Sequence, residues 1–178
     1  LSRRNPKESD GRFVYTWDSY FAREGAGEKP VDVDSPYPVV LADALPVYLR
    51  TLDLAGMSGS GETKTLTTII TLRSNNARPK GLPTTDVTVS VGEPRNVAVP
   101  AGEFEAYPVR VEDPKGSVDV YLFETGPMHR LVRMQLANGT RYDLRKTMRA
   151  AYWRMNGPGN REHREGEGAA PAPGTARP

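Results

Sequence analysis

Cysteine is missing altogether from the 178 residues. That removes disulfides, thiolate metal sites and cysteine nucleophiles in one step, and it fits a reducing or an oxidising compartment equally. Histidine is scarce: His129 and His163 are the only two. Neither sits in a ligand-spaced motif, so no metal centre is expected. No apolar run approaches the roughly 20 residues that cross a bilayer as a helix. No dense Lys/Arg stripe is interleaved with aromatics, which argues against a nucleic-acid partner. The chain opens at Leu1 with neither an initiator Met nor a signal-peptide pattern. Such an opening is expected where an export signal has been removed or where the sequence starts inside a longer chain.

Catalytic constellations are scarce as well. Gly59-Ser60-Gly61 lacks the strand-to-helix setting of a nucleophile elbow. Gly56 to Gly61 with Lys64 does not follow the order of a phosphate-binding loop. Glu103 and Glu105 flank Phe104, so on a strand their side chains share a face. A carboxylate pair can do acid/base work on a glycosidic bond, but this spacing beside a turn is the ordinary pattern of a solvated strand face. Asn138-Gly139-Thr140 fits a glycosylation sequon and fits a hairpin turn better. The expectation is a non-enzyme with no catalytic residue, no cofactor and no metal.

What the chain does have is proline, 16 residues, and a hydrophobic share of only 37%. Net charge is +2, from 24 basic and 22 acidic residues. From Gly126 onward 10 Lys/Arg face 4 Asp/Glu, so that stretch carries +6 and the remainder −4. A basic C-terminal third favours an anionic partner, either an acidic protein face or lipid headgroups.

Hydrophobic periodicity sets the fold class. Residues 1–10 are polar and read as an extended arm. Phe13, Tyr15, Trp17 and Phe21 alternate as a half-buried strand that ends in a loop over Gly25–Pro30. One helix is expected near 43–53, with Asp43 as N-cap, Pro46 in the first turn and Gly56 just past the end. Leu45, Tyr48, Leu49 and Leu52 give it one apolar stripe. Period two then returns at Leu66-Thr68-Ile70-Leu72, at Val87-Val89-Val91, and at Val97-Val99 after a kink over Gly92–Pro94. The turn Pro100-Ala101-Gly102 leads into Tyr107-Val109-Val111, and Val118-Val120-Leu122 follows with Tyr121 and Phe123 on its other face. Val132-Met134-Leu136 runs into the Asn138-Gly139 hairpin and returns through Tyr142 and Leu144. These patterns predict a mainly β domain over 11–155, built of six or seven short strands in a curved antiparallel sheet, partly open barrel or sandwich. Residues 156–178, rich in Pro and Gly, read as an extended tail.

Between domain and tail, residues 145–155 (RKTMRAAYWRM) mix cations with aromatics and methionines. Arg145, Lys146, Arg149, Tyr152, Trp153 and Arg154 are the candidate contacts to a protein partner or a membrane surface. The plainer reading is a last element closing the core, with snorkelling arginines.

Taken together, LADALPVYLRTLDL, VAVPAGEFEAYPVRV and VDVYLFETGPMHRLVRMQLANGTRYDL resemble the bacterial cell-envelope family known as domain of unknown function 3108. The resemblance spans roughly residues 35–146. It rests on Tyr48-Leu49-Arg50 at a helix end, the Pro100-Ala101-Gly102 turn with Phe104 after it, and Phe123, Arg130–Arg133 and Gly139. It implies a curved antiparallel sheet in a periplasmic or outer-membrane setting, with more β-structure before the helix than residues 1–35 supply. It implies no reaction.

The function expected is that of an accessory or scaffolding subunit in a larger envelope assembly, with other protein subunits as partners and a membrane surface as a second contact. The alternative is a periplasmic carrier or sensor of a lipid or other small apolar ligand. Its cavity would be lined by Phe13, Trp17, Leu45, Tyr48, Leu49 and Val120. Those residues equally suit an ordinary closed core.

Overall fold

The computed structural model describes residues 2–3, 13–18, 26–31, 33, 35–70 and 83–147, the first three stretches by their backbone alone. The tail at 156–178, the segment 148–155, Phe21 and Leu72 lie outside the described residues. Near the start, β1 (Ser2–Arg3), β2 (Phe13–Asp18) and β3 (Ala26–Val31) form a three-stranded antiparallel sheet in that order. This corrects two expectations. Ser2 and Arg3 of the arm pair with Val14 and Phe13. The presumed loop over 25–30 is largely strand β3, because Phe13 to Asp18 pair with Val31 to Ala26 and satisfy its backbone.

The main sheet has eight strands: β4 (Val39–Leu41), β5 (Thr63–Ile69), β6 (Thr84–Val91), β7 (Arg95–Val99), β8 (Gly102–Glu112), β9 (Val118–Glu124), β10 (Leu131–Gln135) and β11 (Arg141–Asp143). Their order is β11-β10-β9-β8-β6-β5-β4, with β7 beside the first half of β8. It is a curved, open sheet, mainly β as the alternation predicts. One pair departs from the antiparallel pattern: β4 lies parallel to β5, since helical residues carry the chain from one to the other. The approach to β4 is fixed by a chain of hydroxyls. Tyr37 N–H donates to Ser35 Oγ at 3.1 Å, Ser35 donates to Thr67 Oγ1 at 2.5 Å, and Thr67 donates to Asp86 Oδ1 at 2.5 Å.

The expected single helix is broken in two. After a 3-10 turn at Ala42–Ala44 come α1 (Leu45–Leu49) and α2 (Leu54–Met57). Thr51 ends α1 by donating both its N–H (2.9 Å) and its Oγ1–H (2.7 Å) to Tyr48 O. Asp43 falls inside the 3-10 turn rather than capping it. The capping residue is Asp53, whose Oδ1 accepts from Gly56 N at 2.9 Å, and Gly56 lies within α2 instead of beyond a helix end. Of the expected stripe Leu45, Leu49 and Leu52 are buried and Tyr48 is half-buried, and Leu54 and Met57 of α2 extend it.

These helices cover one face of the sheet. Leu66 of β5, Val87, Val89 and Val91 of β6, Val109 and Val111 of β8, and Tyr121 and Phe123 of β9 meet them there. A second, smaller core lies on the opposite face, made of Val97, Ala106, Leu122 and Val132. Phe104, Val99, Val120 and Leu144 pack against it.

Two bulges create that second core. Val91 pairs with Val109 but Arg95 pairs with Ala106, so three residues (92–94) stand opposite two. One extra residue reverses the alternation. Val97 and Val99 therefore face away from the helices, although their odd numbering continues that of Val87, Val89 and Val91. Pro108 sits at this point, with its carbonyl accepting from Gly92 N at 2.9 Å. The N–H that proline lacks would have faced the same interrupted ladder, where its loss costs nothing. The second bulge lies between Leu131 and Arg133. It places Val132 and Arg133 together on the far face, while Met134 packs toward the helix side. Val132 and Met134 thus part company, against the expectation of a shared face.

Candidate interaction surface at the C-terminal edge

The small core curls the sheet on itself. Arg133 of β10 reaches past two strands to donate to Ala98 O of β7 at 2.9 Å. Leu144 closes the seam with its backbone: its N–H donates to Val132 O at 2.9 Å and its carbonyl accepts from Ala101 N at 3.0 Å. Two hairpin turns of this sheet are those legible in the sequence. Pro100-Ala101 turns into Gly102 at φ 128°, and Asn138 Oδ1 accepts from Thr140 N ahead of β11, with Gly139 at φ 86°.

Ion pairs hold this closure. Arg130 grips Glu124 in a bidentate pair, with Nε to Oε1 at 2.7 Å and Nη2 to Oε2 at 2.6 Å. Its guanidinium also lies 5.5 Å from the centre of the Phe104 ring. Glu124 is 7% exposed, and the guanidinium hydrogen bonds hold its carboxyl below the ordinary range against the opposing effect of burial. Asp143 of β11 takes Arg133 Nε at 2.5 Å on one oxygen and Arg141 Nε at 2.8 Å on the other. The Arg141 bonds, followed by those from Arg133, lower its pKa as well.

Beyond Leu144 the chain passes Arg145, Lys146 and Thr147, all exposed. Thr147 is held again, by Arg130 Nη1 at 3.3 Å to its Oγ1. Arg145 and Lys146 are thus displayed on a short stretch anchored at both ends. Neither has an ion-pair partner among the described residues. Arg141 is 54% exposed at its side chain and Tyr142 is 55% exposed beside it. Residues 141–147 contain three cations and one carboxylate, and two guanidinium groups already share that carboxylate.

Of the candidate contacts, Arg145 and Lys146 stand together on this edge, while Arg149, Tyr152, Trp153 and Arg154 lie outside the described residues. The six candidate cavity residues are not brought together. Leu45, Leu49 and half-buried Tyr48 pack on the helix face, whereas Val120 packs with the small core on the other side of the sheet. Phe13 and Trp17 belong to the three-stranded sheet, and their side chains are not among those described.

Glu103 and Glu105 are exposed on β8, and Glu105 Oε2 accepts from Thr125 Oγ1 at 3.1 Å. Ser60 Oγ donates to Met57 O at 2.8 Å, closing the end of α2. His129 takes a left-handed turn conformation (φ 42°), with Nδ1 donating to Glu124 O at 3.1 Å and its ring edge-on to Tyr107. Burial, with Asp119 adding to it, pushes the Tyr121 phenol up to about 12. Its ring stacks with that of Phe123 in the main core. Among the described residues no group of three or more acidic or histidine side chains could hold a metal ion, and no helix is long and apolar enough to cross a membrane.

Sequence reasoning missed Glu124, Arg130, Arg133, Arg141 and Asp143 as a set. Their types were visible, but the bulge that puts Arg133 on the same face as Val132 was not. The chain matches no protein-family model, no curated protein and no solved structure.

Proposed function

We propose that this protein is a non-enzymatic binding subunit of the bacterial cell envelope, an accessory or scaffolding part of a larger, membrane-associated assembly. The observation that carries this reading is the C-terminal edge. A doubly anchored stretch holds Arg145 and Lys146 out beside Arg141 and Tyr142, and the sequence continues into more cations and aromatics. The envelope setting rests on the resemblance of residues 35–146 to domain of unknown function 3108. The two described cores draw on residues from Val40 to Leu144. Residues 156–178, polar and rich in Pro and Gly, are the segment we assign to attachment.

The test is affinity purification from native membranes at low and moderate salt, comparing the full chain with one lacking residues 156–178. A stoichiometric set of proteins, lost on truncation while the melting temperature is unchanged, is the expected result. Unfolding of the truncated chain, or no stoichiometric partner with the full chain, overturns the reading. No observation favours the apolar-ligand carrier.

A further inference from the structure

We propose that the edge carrying Arg141, Arg145 and Lys146 docks on an anionic lipid bilayer, a step that rests on reading this edge as the contact surface. The ionic groups of this end fall into two classes. Arg130 and Arg133 are half-buried, and they tie Glu124, Asp143 and the Ala98 carbonyl into the closure. Arg145 and Lys146 do none of this. Both are exposed, and the chain that carries them is bonded through the backbone at Leu144 and through the side chain at Thr147. The fold therefore holds two adjacent cations in solvent without using them for its own stability.

Three features favour a lipid surface over an acidic protein. Tyr142, an exposed aromatic on the edge strand β11, projects from the face opposite Arg141, so the two flank the outer edge of the strand, and amphipathic aromatics settle at the headgroup level. The sequence from Met148 to Met155 adds Arg149 and Arg154 interleaved with Tyr152 and Trp153, the composition of an interfacial anchor. The outer edge of β11 is only three residues long, too short to take on a partner strand as its main contact. Headgroup attraction needs no such register. Cations near an anionic surface contribute additively, each worth roughly a five-fold gain in binding.

The test is cosedimentation of the full chain with vesicles of phosphatidylcholine alone and of phosphatidylcholine mixed with phosphatidylglycerol. Binding to the mixed vesicles alone, weakening as salt is raised, is expected. The reversal Arg145→Glu/Lys146→Glu is expected to lower that binding on the order of 100-fold. Both side chains are exposed and have no ion-pair partner among the described residues, so the variant should melt like the parent. Equal binding to both vesicles, binding insensitive to salt, or undiminished binding by the reversal variant overturns the proposal. So does tighter binding to soluble polyglutamate than to the mixed vesicles, which would point to an acidic protein. A chain that binds mixed vesicles but brings down no stoichiometric proteins keeps this inference and sinks the scaffold reading. The reverse outcome separates them the other way.

Discussion

Among the described residues, fourteen buried side chains from β4, the helical segment, β5, β6, β8 and β9 form one apolar core on the helix face, while the opposite face closes on four. The larger core has no ion pair built into it among the described residues. The smaller one is ringed by Glu124–Arg130 and by Asp143 between Arg133 and Arg141. A small apolar cluster cannot by itself offset the entropy of ordering the strands around it. At this end the difference is made up by directed bonds, which also fix how β10, β11 and Leu144 meet the β7–β8 turn. The helix face is held mainly by how much it buries, and the C-terminal end by where its charges are placed.

The sharpest way to break this comparison is to remove one exposed residue. Deleting Glu93 takes away the extra position in the 92–94 bulge and turns Val97 and Val99 toward the other face. The small core then loses one buried and one half-buried valine, roughly 2–4 kcal/mol. Glu93→Ala keeps the count and should stay within about 0.5 kcal/mol. Urea denaturation of the two variants checks this. Similar midpoints would show that the bulge does not create the second core.

That bulge also marks where the sequence stopped being readable. Alternation gave the strands, because Val87-Val89-Val91 and Tyr107-Val109-Val111 each hold one face throughout. The turns were legible from Pro100 to Gly102 and from Asn138 to Gly139, where proline and left-handed glycine leave a chemical signature. Gly92-Glu93-Pro94 reads only as a kink, and nothing in its letters says that it inserts one residue instead of two. The face taken by Val97 depends on that count. Likewise Leu52 continues the helical stripe, yet Thr51 and Asp53 cut the helix by hydrogen bonds that hydrophobic spacing does not register. Among the candidate contacts, Arg145 and Lys146 were visible as a basic pair. Their display depends on Leu144 and Thr147 being anchored at long range, by Val132, Ala101 and Arg130.

A change of pH sharpens the same contrast. Glu124 and Asp143 both have folded pKa values lowered by their arginine partners. The stability they contribute is fully present above their unfolded values and is lost as pH falls through the folded ones. The C-terminal end should therefore weaken below about pH 4.5, the ordinary value for Glu124. Glu124→Gln should cost about 1–2 kcal/mol at neutral pH, since a charge-assisted pair becomes a neutral one. In Glu124→Gln/Asp143→Asn the fall in melting temperature on acidification should be shallower than in the parent. An unchanged acid slope would mean that these pairs do not set the pH response.

The smallest effect tests the helix side, where polar bonds play a local part only. A Cβ at Gly56 would run into the carboxylate of Asp53, the group that caps α2. Alanine favours a helix over glycine by about 1 kcal/mol, and losing a side-chain cap costs about 1 kcal/mol. Gly56→Ala in the parent should therefore be near neutral, the propensity gain being cancelled by displacement of the cap. With Asp53→Ala already in place there is no carboxylate to displace, so the same substitution should stabilise by about 1 kcal/mol. The two changes are non-additive because they share one hydrogen bond. Denaturation midpoints of the four proteins in the cycle measure the coupling directly. A coupling near zero would mean that Asp53 does not hold the second helix, and that burial of Leu54 and Met57 alone keeps it in place.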